Sequence, residues 1–232
     1  MSGKESRGSR EAVLEVFVYY DFASSLSYVA HRVLARIGRE LAEERIELRW
    51  KAIDLTGIGR FQRGRLLDPV RRRSLIEVAT ALDVELEPPA RWPDSRLAGE
   101  VALTLDLAID RGLDPAVEQE WRRGVFSAFY EQGDRDDPDQ LAGAVEQLFG
   151  EFERRGHFGK RGVASLDDLA AGRRLATATG SAVAAGVEGA PTLMFDAFPL
   201  CGIHDETTML GMIQRYARRR RRLEAEATVA VN

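Results

Sequence analysis

Serine residues occur where a helix is predicted to begin. Ser24 and Ser27 lie in the run Asp21-Phe22-Ala23-Ser24-Ser25-Leu26-Ser27-Tyr28, which joins a predicted strand to a predicted helix. The first N–H groups of a helix have no partner inside the helix, and the helix dipole adds positive potential there. A hydroxyl beside such N–H groups can donate a hydrogen bond to an anion. This run therefore predicts a site for a thiolate or another anion.

The same serines also have structural interpretations. Ser24 is of a residue type preferred at a helix N-cap, so the residues alone leave both roles open for it. Ser27 lies one turn into the helix, where its hydroxyl can bond a nearby carbonyl, and a structural role is favoured for it.

The elements around this run are a strand, a helix and a second strand. Residues 13–20 are almost all apolar and rich in β-branched and aromatic types, which is typical of a central strand covered on both faces. A helix is predicted from Ser25 to Glu44. Residues 46–52 alternate apolar with polar and predict the second strand, parallel to the first.

A later run predicts a hairpin. Gly189-Ala190-Pro191-Thr192 precedes a short apolar strand, and a turn at Asp196-Ala197 leads into the last strand. Pro199 in that strand predicts an edge position, because proline cannot donate to the strand ladder. The closing helix is predicted from about His204 to Leu223. The arginines of residues 218–222 are interpreted as cations that complement the C-terminus of that helix.

Between these two parts, residues 66–180 show helical spacing. One apolar stripe runs from Leu97 to Ala108 and another from Val117 to Phe129, and prolines separate the segments. We expect aromatic residues of this region to line it, some of them as a wall of a substrate cleft: Trp92, Trp121, Phe126, Phe129 and Tyr130. The stretch is predicted to be an all-α insertion.

The order of these motifs resembles the DsbA-like branch of the thioredoxin superfamily. Within it, the sequence is most similar to the 2-hydroxychromene-2-carboxylate isomerases and kappa-class glutathione transferases, the group without a Cys pair. Trp50, the run 91–95 and the run 129–134 add to the resemblance. It implies an α/β, thioredoxin-like fold with an all-α insertion domain. Residues 12–60 and 181–223 would form the core and 61–180 the insertion. From their own composition and position, residues 1–11 and 224–232 are expected to be disordered tails.

The resemblance also implies a site. In the family the first serine of the turn contacts the sulfur of glutathione, which assigns Ser24 here a catalytic role. Ala190 would offer its backbone to the tripeptide, and the Ala190-Pro191 bond would be cis. The implied cofactor is glutathione or another low-molecular-weight thiol, with no metal. The implied cofactor-binding residues are Ser24, Ser25, Ser27, Ala190, Pro191 and Asp205.

One departure from the family pattern bears on Asp205. Kappa-class proteins usually carry Ser-Asp directly after the glycine, whereas here Ile203-His204 follows Gly202 and Asp205 comes one residue late. Asp205 could instead be only the N-cap of the last helix. A thiol other than glutathione therefore stays open.

These features support an enzyme in which a bound thiol adds to an aromatic or conjugated electrophile and leaves it isomerised or conjugated. The alternative is a non-catalytic binding protein with a thioredoxin fold. A thiol–disulfide oxidoreductase is less favoured, because positions 24 and 27 hold no cysteine.

The composition and charge of the chain make some classes of binding partner unlikely. The chain has 232 residues and a net charge of −4, with basic residues spread along it, so nucleic acid is not an expected partner. No apolar run is long enough to cross a membrane, and a cytoplasmic protein is expected. A small-molecule substrate is expected, and a homodimer through exposed insertion helices is left open.

Three further residues or runs have competing interpretations. The single cysteine, Cys201, excludes an intrachain disulfide and is expected to be mostly buried and inert, with a redox-sensitive thiol as the alternative. His31 is expected to pack or face solvent rather than act as a base, because no triad partner is evident. The run 57–62 lacks the last glycine of a dinucleotide loop and is interpreted as a mobile loop beside the cleft.

Overall fold

The computed structural model describes residues 13–59, 61–131, 137–158 and 172–231. In chain order the elements are β1 Leu14–Tyr20, α1 Ser25–Arg36, α2 Gly38–Glu43, β2 Ile46–Ala52, α3 Pro69–Ala81, α4 Arg96–Ile109, α5 Pro115–Tyr130, α6 Pro138–Arg154, α7 Arg173–Ala184, β3 Thr192–Phe195, β4 Phe198–Cys201 and α8 Glu206–Val231. The fold is α/β and thioredoxin-like with a helical insertion, as the sequence predicted.

The four strands form one mixed sheet in the order β2-β1-β3-β4. Strand β1 pairs in parallel with β2, whereas β3 pairs antiparallel with both β1 and β4. β4 therefore lies at the edge, which confirms the position predicted from Pro199. The central β1 buries Val16, Val18 and Tyr20 completely.

The helix predicted from Ser25 to Glu44 is instead two helices. It breaks at Ile37, which closes α1 and opens α2. Gly38 follows at once, and glycine has a low helix propensity because it loses the most backbone entropy on ordering. The second helix ends where Arg45 adopts a positive φ of 55°.

Three insertion helices begin in the same way. Helices α3, α5 and α6 each have an aspartate at the N-cap whose side chain accepts from backbone N–H groups, followed by proline in the first turn. This arrangement is favourable because proline has no N–H to leave unpaired at that position. Residue 180, the predicted end of the insertion, lies inside helix α7. The chain therefore stays helical across that boundary.

Helix α8 is longer than the sequence predicted. It begins at Glu206 and continues to Val231, so the expected end at Leu223 and the disordered tail 224–232 are corrected. Arginine-to-glutamate pairs one turn apart extend across that point, from Arg220 to Glu224 and from Arg222 to Glu226. The predicted disordered segment 1–11 lies outside the described residues.

The arginine run 218–222 therefore does not lie at a helix C-terminus, and that interpretation is also wrong. One of its members has a different structural role. Arg221 Nη2 donates to the Glu44 carbonyl at 2.5 Å, so it pairs with an otherwise free carbonyl at the end of α2.

The apolar residues form two clusters. The larger cluster contains residues of β1, of α1 and of the insertion helices. The smaller includes Ala23, Trp92 and Met194, with Phe61 and Ala190 packed against it. This second cluster adjoins both the serine turn and the proline loop.

Candidate functional site

Ser24 lies at the N-cap of α1 and is 4% exposed. Its Oγ accepts a hydrogen bond from the Ser27 N–H at 3.3 Å, which is the capping interaction that the residue type predicted. The same hydroxyl donates to the Ala190 carbonyl at 3.1 Å, across 166 positions of sequence. Two of the predicted site residues are therefore in direct contact.

The proline loop is positioned by the sheet. Thr192, the first residue of β3, is paired with Tyr19 of β1, and the serine turn begins just after β1 ends. The Pro191 carbonyl accepts from the Gly202 N–H at 2.8 Å, and Thr192 Oγ1 donates to the Gly189 carbonyl at 2.8 Å. The Ala190-Pro191 bond is cis, as the resemblance implied.

The start of α1 leaves backbone donors available. The Ser24 N–H donates to the Asp21 carbonyl, and the Ser27 and Tyr28 N–H groups donate to the Ser24 carbonyl. Within the described ranges, no hydrogen bond uses the N–H groups of Ser25 and Leu26. They are the first two N–H groups of the helix, where the dipole favours an anion.

The other two serines, Ser25 and Ser27, are buried in the protein. The Ser25 hydroxyl lies near Tyr130, whose Oη donates to the Phe22 carbonyl at 2.9 Å. Ser27 is fully buried, and its Oγ accepts from the Asp21 N–H at 3.4 Å. Neither hydroxyl is directed at Ala190, so only Ser24 of the three serines meets the proline loop.

Asp21 lies beneath the turn and was not singled out by sequence reasoning. Its carboxylate is 2% exposed and accepts three hydrogen bonds, from Ser95 Oγ at 2.6 Å and from the N–H groups of Ala23 and Leu55 at 2.8 Å each. Burial raises its pKa to about 6, against the opposing effect of these hydrogen bonds. Asp21 thus ties the turn to the end of β2 and to the start of α4. A charged residue directly after an apolar strand was the available sequence signal.

Asp205 has the structural role that was its alternative interpretation. Its carboxylate accepts from the Thr208 N–H at 3.0 Å and from Thr208 Oγ1 at 2.7 Å, which caps α8. These bonds lower the pKa of Asp205. Its role toward a cofactor stays a prediction.

Cys201 is exposed, so the expectation of a buried thiol is wrong. All four residues of β4 are at least partly exposed, because the strand is short and lies at the edge of the sheet. Cys201 is also close to the proline loop, since a Cβ added to Gly189 would lie 3.6 Å from its sulfur.

An aromatic pair forms the apolar side of the site. The rings of Phe61 and Trp92 are stacked, with centroids 4.1 Å apart and an angle of 6° between their planes. Both pack in the cluster that contains Ala23 and Ala190. The Arg71 guanidinium lies 4.6 Å from the Phe61 centroid, and no carboxylate among the described residues lies within ion-pair distance of it. Of the five aromatic residues predicted to line the insertion, Trp92 packs beside the proline loop, and Tyr130 contacts the serine turn through the Phe22 carbonyl.

His31 is a packing residue. It stacks on Phe126, with centroids 5.2 Å apart, and its Nδ1 lies 2.8 Å from Arg122 Nη1. Burial and the neighbouring Arg122 lower its pKa to about 3, so the ring is neutral at physiological pH and accepts from the guanidinium. The predicted packing role agrees with this geometry.

A serine at a helix start that meets a cis-proline loop, on a mixed sheet with a helical insertion, defines a thioredoxin-like site without the cysteine pair. The model of the DSBA-like thioredoxin domain matches residues 15–214, and the chain belongs to that family. No curated protein matches the sequence.

Solved structures with a similar fold include three at low sequence identity. A 2-hydroxychromene-2-carboxylate isomerase is 22% identical, with 92% of this chain and 99% of that chain covered and a TM-score of 0.59. A proposed protein disulfide isomerase from Nitrosomonas europaea is 13% identical, with 88% and 98% covered and a TM-score of 0.57. The cytosolic disulfide reductase DsbM from Pseudomonas aeruginosa, solved with GSH, is 15% identical, with 93% and 100% covered and a TM-score of 0.52. At these identities the likeness shows the fold.

Within the described part of the chain, no helix is long and apolar enough to span a membrane. The same residues include no group of three or more His, Cys, Asp or Glu side chains placed to hold a metal ion.

Proposed function

We propose that this protein is a thiol-dependent isomerase or transferase that acts on an aromatic or conjugated electrophile. The observation that carries the proposal is the contact between the Ser24 hydroxyl and the Ala190 carbonyl. A peptide-like thiol bound here would take over both partners. Rotation about the Cβ–Oγ bond would redirect the hydroxyl to the sulfur, and the freed Ala190 carbonyl would accept an N–H of the thiol compound.

Local charges favour the thiolate form of such a ligand. The N–H groups of Ser25 and Leu26 and the positive end of α1 stabilise a negative sulfur, as does a hydrogen bond from Ser24. A free thiol has a pKa of about 8.5, and lowering it by ~2 units requires ~2.7 kcal/mol of differential stabilisation. Two or three charge-assisted hydrogen bonds can supply that amount.

The reaction that follows uses the thiolate as nucleophile. Attack on the β-carbon of a conjugated carbonyl forms a C–S bond and moves an electron pair onto the carbonyl oxygen as an enolate. The former double bond can then rotate. Return of the electron pair expels the thiolate and gives an isomer, whereas protonation of the enolate carbon gives a conjugate. The stacked Phe61 and Trp92 rings offer an apolar surface for a planar substrate.

Two of the solved structures with a similar fold have names that bear on the proposed reaction. One is a 2-hydroxychromene-2-carboxylate isomerase, and another is a disulfide reductase that was solved with GSH. Dithiol chemistry is disfavoured in this chain, because positions 24 and 27 are serines and Cys201 is the single cysteine.

Calorimetric titration with reduced glutathione tests the proposal. We expect saturable binding with proton release at pH 7, and we expect Ser24→Ala to weaken it about tenfold. S-methylglutathione is the matched control ligand: it has no ionisable thiol, so the substitution should change its affinity little. Ser181→Ala is the control variant, since Ser181 is exposed and bonds only within α7.

Three outcomes would change the proposal, each in a different way. Equal weakening of both ligands by Ser24→Ala would mean that Ser24 supports the fold of the site and does not contact the sulfur. No binding of glutathione up to millimolar concentration would direct the search to other thiols. No thiol-dependent turnover with any of them would favour the binding-protein alternative.

A further inference from the structure

A groove lies between the edge strand β4 and the last helix, α8. Its volume is about 460 Å³, which is within the range of small-molecule sites. The paired residues Phe195 and Phe198 line this groove, whereas Cys201, at the other end of β4, lies beside the proline loop. Phe198 and Cys201 are three residues apart along the strand, roughly 10 Å. The groove is therefore separate from the contact between Ser24 and the proline loop.

The floor of the groove is apolar and held in place by packing. Its residues are partly buried and contact the larger apolar cluster: Phe195, Leu200, Met212 and Tyr216. Two more apolar side chains line the groove and are well exposed, with Phe198 at 72% and Leu223 at 45%. Exposed apolar surface around a concave floor is typical of a binding site, because a ligand that covers it removes that surface from water.

The charged residues that line the groove are one aspartate and three arginines: Asp196, Arg215, Arg219 and Arg220. Asp196 is already paired, since its Oδ1 accepts from Tyr216 Oη at 2.9 Å and lies 3.4 Å from Arg220 Nη1. Arg215 and Arg219 have no carboxylate within ion-pair distance among the described residues. They are four positions apart on α8, so both guanidinium groups lie on one side of the helix. The groove thus combines an apolar floor with two cations that can bind an anion.

The size and polarity of the groove favour an aliphatic chain over a polypeptide. Its α8 residues run from Met212 to Leu223, about 17 Å along the helix axis. A helix is about 10 Å across and over that length occupies about 1,300 Å³, so a partner helix is too wide to enter. An extended peptide would bury its own backbone N–H and C=O groups without partners, because Pro199 has no N–H and the Tyr216 hydroxyl already donates to Asp196. An unbranched aliphatic chain has no polar groups to leave unpaired.

We propose that the groove binds an amphipathic carboxylate of the fatty-acid type, taken up as a single molecule from solution. Its aliphatic chain lies along Leu200 and Met212, and its carboxylate accepts hydrogen bonds from Arg215 and Arg219. Guanidinium groups suit this role because their planar arrangement of donors matches the two oxygens of a carboxylate. The proposal does not depend on the thiol-dependent reaction proposed at Ser24.

Calorimetric titration of the full chain with decanoate, below its critical micelle concentration, tests the proposal. We expect saturable binding with a micromolar Kd, and we expect Arg215→Gln/Arg219→Gln to raise the Kd at least about tenfold. Arg111→Gln/Arg123→Gln is the matched control, since it removes two exposed arginines that lie outside the groove and should leave the Kd unchanged. Circular dichroism shows whether each variant is folded.

Two further ligands separate the contributions of the charge and the chain. 1-Decanol has the same chain without the charge, so it should bind the wild type more weakly than decanoate does, and the double arginine variant should not weaken it further. Octanoate should bind several-fold more weakly than decanoate, because two methylene groups no longer contact the apolar floor. No saturable binding of decanoate up to about 1 mM, or an equal Kd for the wild type and Arg215→Gln/Arg219→Gln, would overturn the proposal.

Co-sedimentation with vesicles of phosphatidylglycerol and phosphatidylcholine distinguishes a single amphiphile from a membrane surface. We expect decanoate to bind the wild type and the vesicles not to bind it. Vesicle binding that is lost in Arg215→Gln/Arg219→Gln would show that this surface docks on a bilayer, and it would overturn the proposal. Decanoate binding that is lost in Ser24→Ala instead would place the ligand at the serine turn, which also contradicts a site in the groove.

Discussion

At the scale of single residues, one oxygen atom connects the two parts of the site. Ser24 Oγ accepts from the Ser27 N–H and donates to the Ala190 carbonyl. Loss of the capping bond costs about 1 kcal/mol of stability, whereas loss of a hydrogen bond to a thiolate acts on the reaction. The two effects can be measured separately.

We expect Ser24→Ala to lower thiol-dependent turnover at least about tenfold, equivalent to ~1.4 kcal/mol, and to raise the pKa of the bound thiol. Ser24→Thr keeps a hydroxyl at the same position and should retain most of the turnover. The measurements are steady-state rates and ultraviolet absorption of the thiolate as a function of pH. Unchanged turnover in Ser24→Ala would remove this residue from the mechanism.

Asp21 makes the stability depend on pH. Burial raises its pKa from 3.8 to about 6, so the folded state favours the protonated carboxyl. Its stabilising contribution is complete below the unfolded pKa and is lost as the pH rises through about 6. We expect the wild type to lose up to about 3 kcal/mol relative to Asp21→Asn between roughly pH 4 and 7, measured by urea unfolding. Parallel stability curves for the two proteins would contradict this.

At the scale of elements, Glu100 joins two insertion helices. It is 1% exposed on α4, and its Oε1 accepts from the Leu175 N–H in the first turn of α7 at 2.7 Å. Glu100→Ala leaves that buried donor unpaired, and we expect a loss of about 1–3 kcal/mol in the free energy of unfolding. Glu100→Gln keeps an acceptor and should lose less. Glu146→Ala, at an exposed position on α6, is the control and should be nearly neutral.

Local sequence signals identified most elements but not all of their ends. The N-termini of α3, α5 and α6 can be predicted from their Asp-Pro pairs, because helix capping depends only on residues that are adjacent in sequence. The break at Ile37 depends on a weak signal, a single glycine. The extension of α8 to Val231 was not predicted, because the arginine-to-glutamate pairs one turn apart that continue the helix past Leu223 were not considered.

At the scale of the whole molecule, the insertion and the sheet share one hydrophobic core. The larger cluster contains Val18 of β1 together with Trp121 and Phe126 of α5. A helical insertion with its own separate core would unfold independently, whereas a shared core couples the two.

We therefore expect a single unfolding transition in urea, with coincident curves from far-ultraviolet circular dichroism and tryptophan fluorescence. Trp121→Ala removes a fully buried ring and should lower the stability of the entire protein by about 3–5 kcal/mol. Separate transitions for the two probes would show that the insertion unfolds by itself.

The amino-acid sequence by itself determined the order of the strands and helices, the edge position of the Pro199 strand and the family resemblance, because these depend on periodicity and on short runs such as 21–28 and 189–192. Only the tertiary structure decided which serine faces the proline loop, that Asp21 anchors the turn, and that Cys201 is exposed. The physical reason is distance along the chain. Ser24 and Ala190 are 166 positions apart, and their contact depends on how the sheet and helices pack rather than on any local pattern.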